Sequence, residues 1–235
     1  MKFLQTETYL GDAECSTDAI KSSELLEQQL EKILSQVSEL KEDEDALERV
    51  RLLLDGGYVL LDLQRNDEAW GLAREAFSLA TAAEAWESAV EACDILFKAD
   101  QPESVKALGH GIWLGVTYPI DPELSVAMLN HLVDSTPAQA DGAAVAATVA
   151  RYIADMRGQG QQREDLLFFT GQLLGDVARR HRGVETQELF DVWFKHLELD
   201  DPEVFLPRLG QIVDTLVPEG WWIDRDALRA KLPVD

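Results

Sequence analysis

The apolar positions of this chain fall at helical spacing almost throughout. Leu26, Leu30, Ile33, Val37 and Leu40 step by 4, 3, 4 and 3 residues. That spacing lays a narrow apolar seam along one face of a helix whose remainder is charged. It predicts a helix capped by Asp18 and running to about Lys41. The seam is too short for a long coiled coil, so its partner is expected within the chain, as the second arm of a hairpin. The acidic run Glu42-Asp43-Glu44-Asp45 turns the chain, and its charge suits the positive end of the helix that follows. That helix carries Leu47, Val50, Leu53, Leu54, Gly57, Leu60 and Leu61 on one broad face. The next presents Ala69, Leu72, Ala73, Ala76 and Phe77, small enough for two axes to come together. Gly57 costs helix propensity, and close approach of that next helix is the expected compensation.

Further helices are predicted over 82–98, 102–117, 122–134, 137–157, 162–181, 186–198, 202–216 and 225–231. Their starts are marked by short polar side chains that can accept from a free first-turn amide. Asn66, Asp100, Asp121 and Thr136 are the expected caps, with Pro122 and Pro137 directly after the last two; Pro at a first helical position loses no hydrogen bond. Asp201-Pro202 repeats the pattern, Asp224 caps a short final helix, and Gly183 after His181-Arg182 is a helix stop. The starts at 66, 100 and 136 recur every 34 to 36 residues, the period of stacked helical hairpins. No stretch of useful length alternates with period two. The chain therefore reads as all-α: antiparallel hairpins stacked in a right-handed array with a C-terminal helical cap. Residues 1–17 form a flexible N-terminal arm, and 18–157 the helical-repeat region. Gly158 to Gln162 make a polar joint, and 162–235 pack back on the repeats as one continuous domain.

Within this array, Leu53, Gly57, Ala69 and Ala76 have the 4, 12, 7 spacing of tetratricopeptide core positions. The segment 50–81 thus resembles one unit of that family. It departs from the family pattern at Leu60 and Ala73, where aromatics are usual, and at Thr81, where Pro is usual. The resemblance implies a binding scaffold with a concave groove and no active site. TPR-like and HEAT-like stacking share antiparallel pairs of similar period, and the sequence leaves both open.

Charge narrows the range of partners. The chain has 44 Asp and Glu against 21 Lys and Arg, a formal net charge of −23, spread along its length. Such a surface repels nucleic-acid phosphates and anionic lipid, and suits a basic protein face. No apolar run reaches the length of a bilayer span. The two cysteines, Cys15 and Cys93, match no zinc or redox spacing, which fits a reducing, cytoplasmic setting.

The expected motifs of chemistry are missing. None of the four histidines has Glu three residues before it, and zinc, phosphate-loop, nucleophile-elbow and dinucleotide patterns are absent. No cofactor and no metal are expected. Gly109-His110-Gly111-Ile112-Trp113-Leu114-Gly115 is the oddest segment, with three glycines in a predicted helix. Two readings stand side by side. The glycines allow tight packing with His110 buried, or His110, Trp113 and Tyr118 line a pocket. His131 on the next helix would approach His110, and Asp134 and Glu123 are the further groups a metal would need. Arg179-Arg180-His181-Arg182 lies at a helix C-terminus, where its charge complements the dipole; docking of an acidic peptide is the sharper alternative. Trp221 and Trp222 adjoin Arg225, a combination typical of interface anchors. On a helix they would point about 100° apart, so one is expected to seal the core and the other to stay outside.

The expected function is a non-catalytic protein-interaction scaffold or assembly factor. It binds a partner protein with a basic surface, and the N-terminal hairpin is available for homodimerisation. The candidate binding residues are His110, Trp113, Tyr118, Trp221, Trp222 and Arg225. A small-molecule or enzymatic pocket around His110 and Trp113 is the alternative.

Overall fold

The computed structural model describes residues 2–4, 16–40, 46–218 and 220–232, with the backbone alone for 16–21. Among these residues there are eleven helices and no strand. They are α1 (Ser16–Glu39), α2 (Ala46–Asp62), α3 (Asn66–Ala82), α4 (Trp86–Lys98), α5 (Ser104–Thr117), α6 (Pro122–Ser135), α7 (Asp141–Arg157), α8 (Gly160–Arg182), α9 (Gln187–His196), α10 (Pro202–Leu216) and α11 (Arg225–Arg229). The acidic turn 42–45 and most of the expected N-terminal arm lie outside the described residues. Among the described residues no helix is long and apolar enough to cross a membrane.

From α1 to α8 each helix packs on the next. Turns of two to five residues join α2 through α8, so neighbours run antiparallel, as the periodicity predicts. The seam of α1 meets α2, with Leu30 and Ile33 buried and Leu26, Val37 and Leu40 packed beside them. The even-numbered helices also touch in series, α2 to α4, α4 to α6 and α6 to α8. On the odd-numbered side the space between neighbours is filled by the end of the chain. Helix α10 packs on both α5 and α7, and the segment after it lies against α3 and α5.

The helix starts differ from the expectation in a consistent way. Asp121, Asp201 and Asp224 cap α6, α10 and α11, accepting from the amides of Glu123, Glu203 and Ala227. Asn66 instead lies inside α3, whose N-cap is Arg65 with no side-chain bond. Asp100 is not a cap either; it is the left-handed residue of a turn, with φ 50°. Thr136 closes α6 rather than opening α7, and its hydroxyl donates to the Leu132 carbonyl at 2.6 Å. The physical reason is a turn built from the preceding helix. Gln64, Glu84, Asp100 and Glu198 all have φ between 50° and 58°. After three of them the next amide returns to a carbonyl five residues back, as in Arg65 to Leu60, Ala85 to Ala80 and Leu199 to Phe194. This is the Schellman stop with a non-glycine residue in the strained position. Gly183, at φ 63°, ends α8 in a left-handed turn without that strain. With the true starts, α3, α5 and α7 begin at 66, 104 and 141, a step of 38 and then 37 residues rather than 34 to 36.

Close approach explains the glycines. Gly57 faces α4, not α3: a Cβ there would lie 3.0 Å from Ile95 Cδ1. Its neighbour Gly56 is the one that meets α3, with Leu72 at 3.1 Å. The fully buried Ala69, Ala73, Ala76 and Ala80 continue the small face of α3. Gly158 and Gln159 form a two-residue turn, and α7 and α8 pack across it rather than parting there.

Candidate functional site

The centre of the site is His110, on the buried face of α5. A side chain there would be crowded by any bulk at its neighbours. A Cβ on Gly111 would lie 2.4 Å from Met128 Cε and 2.9 Å from Cys93 Cβ, and one on Gly109 would lie 2.5 Å from Val217 Cγ2. The glycines therefore let α5 sink between α4, α6 and the end of α10. His110 itself is 0% exposed. Its Nδ1–H donates to the Lys106 carbonyl at 2.8 Å, one turn back. Its Nε2 accepts the backbone N–H of Trp222 at 2.8 Å. These two bonds fix one neutral tautomer. Burial, with the nearby charges of Lys106, Arg74 and Arg225 adding to it, pushes the pKa of His110 down to about 4.

Trp221 and Trp222 reach this histidine because their segment is not helical. The expectation that one ring would stay outside fails for that reason: both are half-buried and both pack on His110. Trp222 stacks on the imidazole at 4.4 Å, with Phe77 and Trp70 edge-on at 5.5 and 6.4 Å. The Arg74 guanidinium lies 3.8 Å from its ring centre. Trp221 meets Trp113 edge-on at 6.0 Å and carries the Arg225 guanidinium at 3.8 Å. Trp113 in turn meets Tyr118, which stacks on Trp86 at 4.4 Å. Cation–π contacts of this kind are worth about 0.5–2 kcal/mol each.

All six residues singled out from the sequence therefore converge. They form one aromatic crevice walled by α3 and α5, and residues 220–232 of the same chain lie in it. Beyond the rings, Arg225 pairs with Asp214 of α10 at 2.7 Å and Lys231 with Glu84 at 2.5 Å. The sequence reading missed Trp70, Arg74, Phe77 and Trp86. A signal was present: Trp70, Arg74 and Phe77 stand at i, i+4 and i+7, one stripe of α3. Arg74 is also the least satisfied cation here. Its pKa is lowered by burial, and its buried Nη1 finds no acceptor among the described residues.

His131 does not approach His110. It lies on the even-numbered side, where its Nε2–H donates to Asp94 at 2.7 Å. Asp94, 0% exposed, also accepts from Lys98 at 2.7 Å and from the Tyr58 hydroxyl at 3.0 Å. Burial works against this carboxylate, but the bond from His131 and the charge of Lys98 hold its pKa below the usual range. Four groups from three helices are thereby satisfied, which is the behaviour of a structural buried pair. The two further metal groups are also spent. Glu123 accepts the backbone amides of Phe3 and Leu4, and Asp134 accepts from Asn130. Among the described residues no group of three or more His, Cys, Asp or Glu side chains is placed to hold a metal.

The basic run at the end of α8 is likewise dispersed. Arg179 pairs with Asp176, Arg180 donates to the Val133 carbonyl, and buried His181 accepts from Trp193 Nε1. Compared with protein-family models, with curated proteins and with solved structures, the chain matches none of them.

Proposed function

We propose that this chain is a non-catalytic protein-binding scaffold, and that the crevice between α3 and α5 holds an extended polypeptide segment. The observation that carries the reading is how residues 220–232 are held. Two large rings enter side by side, a buried histidine accepts a backbone amide, and acids at the rim take the cations that follow. Aromatic anchors in a desolvated pocket with charged pairs at the edge are the energetic pattern of protein interfaces. Both ring nitrogens of His110 are engaged, leaving neither a lone pair nor a proton free for acid–base work. That favours binding over an enzymatic pocket. The net charge of −23 supports steering of a basic partner, and the TPR-like or HEAT-like hairpin stack supports a scaffold role.

The test uses the full chain carrying Trp221→Ala and Trp222→Ala, with far-UV circular dichroism to confirm helicity. A synthetic peptide of residues 217–232 is titrated into it by calorimetry. Saturable one-to-one binding that His110→Phe or Arg74→Gln weakens is expected. A folded double variant that takes up no peptide refutes the reading.

A further inference from the structure

The segment seated in the crevice also indicates what would replace it. We infer that the partner presents an extended segment with an aromatic pair followed by cations, and that residues 220–232 are a built-in competitor for the same seat. This rests on the crevice being a peptide site, as proposed above.

The inference comes from the walls rather than from the occupant alone. His110, Phe77 and Trp70 receive the second ring, and Trp113 receives the first. His110 Nε2 is an acceptor, so it reads a backbone N–H, which every residue but proline offers. Aromatic rings therefore set the affinity at the centre, and the rim sets the choice of sequence. Asp214 and Glu84 belong to the scaffold, on α10 and in the turn after α3. They meet the cations found three and nine residues after the second tryptophan. An incoming segment with cations at those places satisfies both acids, and one with carboxylates there meets repulsion from both. The surplus of 44 acids over 21 bases attracts the same kind of segment from a distance.

The competitor is held by features that can be released. Its rings are half-buried, both ion pairs are solvent-accessible, and one backbone amide bond links it to α5. The closing helix α11 has five residues and no buried side chain.

Two measurements test the proposal on the chain as it stands. In wild-type protein, hydrogen exchange of the Trp222 amide and of residues 223–232 is followed while a 217–232 peptide is added in excess. Faster exchange there, with α3 to α7 unchanged, is expected. In the double-alanine chain, the same peptide is compared with one carrying Glu in place of Arg225 and Lys231. Binding at least about tenfold weaker is expected for the acidic peptide, since each rim pair contributes a few-fold and reversal adds repulsion.

Equal binding of both peptides would overturn the charge rule while leaving the crevice reading intact. Failure of every peptide to bind the folded double variant would remove the crevice reading itself. Peptide binding to the variant with no change of exchange in wild type would overturn the competitor role. A wild-type dimer in sedimentation that Trp222→Ala converts to monomer would make a second copy's tail the occupant and overturn the partner assignment.

Discussion

His110 makes folding of this chain depend on pH between about 4 and 6.5. An unperturbed imidazole titrates near 6.5, and burial takes His110 down to about 4. Between these values the unfolded chain binds a proton that the folded chain refuses. Stability is therefore intact above pH ~6.5 and falls as the solution is acidified, until the folded state also protonates near pH 4. One pKa unit is about 1.4 kcal/mol, so the whole gap is about 3 kcal/mol, and about 2 kcal/mol is lost by pH ~5. Against a typical stability of about 5–15 kcal/mol this is a large share. The structural cause is specific: protonated Nε2 would become a donor pointing at the donor N–H of Trp222. The positive charges of Lys106, Arg74 and Arg225 face the ring and add to that cost.

The assay is urea unfolding at about pH 7 and about pH 5, at fixed ionic strength, in wild type and in His110→Phe. The phenyl ring keeps the stacking and cannot titrate, and it costs about 1–3 kcal/mol at both pH values by orphaning the Trp222 amide. The carboxylates titrate alike in the two chains and cancel in the comparison. Wild type should lose about 2 kcal/mol more than the variant on acidification. An equal loss in both chains would refute the argument, because it would mean that His110 accepts a proton within the fold at little cost.

Three further substitutions follow from particular contacts. Gly111→Ala places a methyl 2.4 Å from Met128 Cε and 2.9 Å from Cys93 Cβ; the methionine can swing away but the cysteine Cβ cannot. A loss of about 1–3 kcal/mol is expected, read as a lower Tm by calorimetry. Gln64→Gly relieves an exposed residue held at φ 58° and should raise stability by about 0.5–1 kcal/mol in denaturant titration, the gain in strain exceeding the added unfolded-state entropy. Arg157→Met removes three hydrogen bonds, to the carbonyls of Gly115, Val116 and Tyr118 at the end of α5. The Val116 and Tyr118 carbonyls lose this donor while Gly115 keeps the Ser125 hydroxyl, and a cost of about 2–4 kcal/mol is expected in the same titration.

The helices were legible because their information is local. Apolar spacing and Asp-Pro pairs lie within a few residues of one another, and α10 was predicted at its observed bounds. The caps at Asn66 and Asp100 failed because the preceding helix decides there, through a left-handed stop that Gln64 or Asp100 does not advertise as glycine would; Thr136 failed because its hydroxyl turns back onto the Leu132 carbonyl of α6. The six site residues were visible as composition, while their meeting was not. His110 and Trp222 are 112 residues apart in sequence, and no local period links them. The Asp94 network stayed hidden for the same reason, although its Asp94–Lys98 pair stands at i, i+4.

The use made of the cations links the charge to the tail. Arg151, Arg157, Arg180 and Arg208 donate to carbonyls of other segments. These positive charges act as brackets between helices, while most of the acid surplus faces water. The scaffold therefore repels itself and at the same time attracts the two cations that hold the tail, Arg225 and Lys231. Salt screens both effects, with opposite results. Raising it from about 0.05 M to about 0.5 M should make global unfolding harder, because like charges no longer press the core apart. The same change should speed hydrogen exchange at the Trp222 amide a few-fold, because its two solvent-accessible ion pairs weaken. If the amide instead became better protected in step with the global stability, the tail would be held by its aromatic contacts alone, and the acids at the rim would play no part in choosing what fills the crevice.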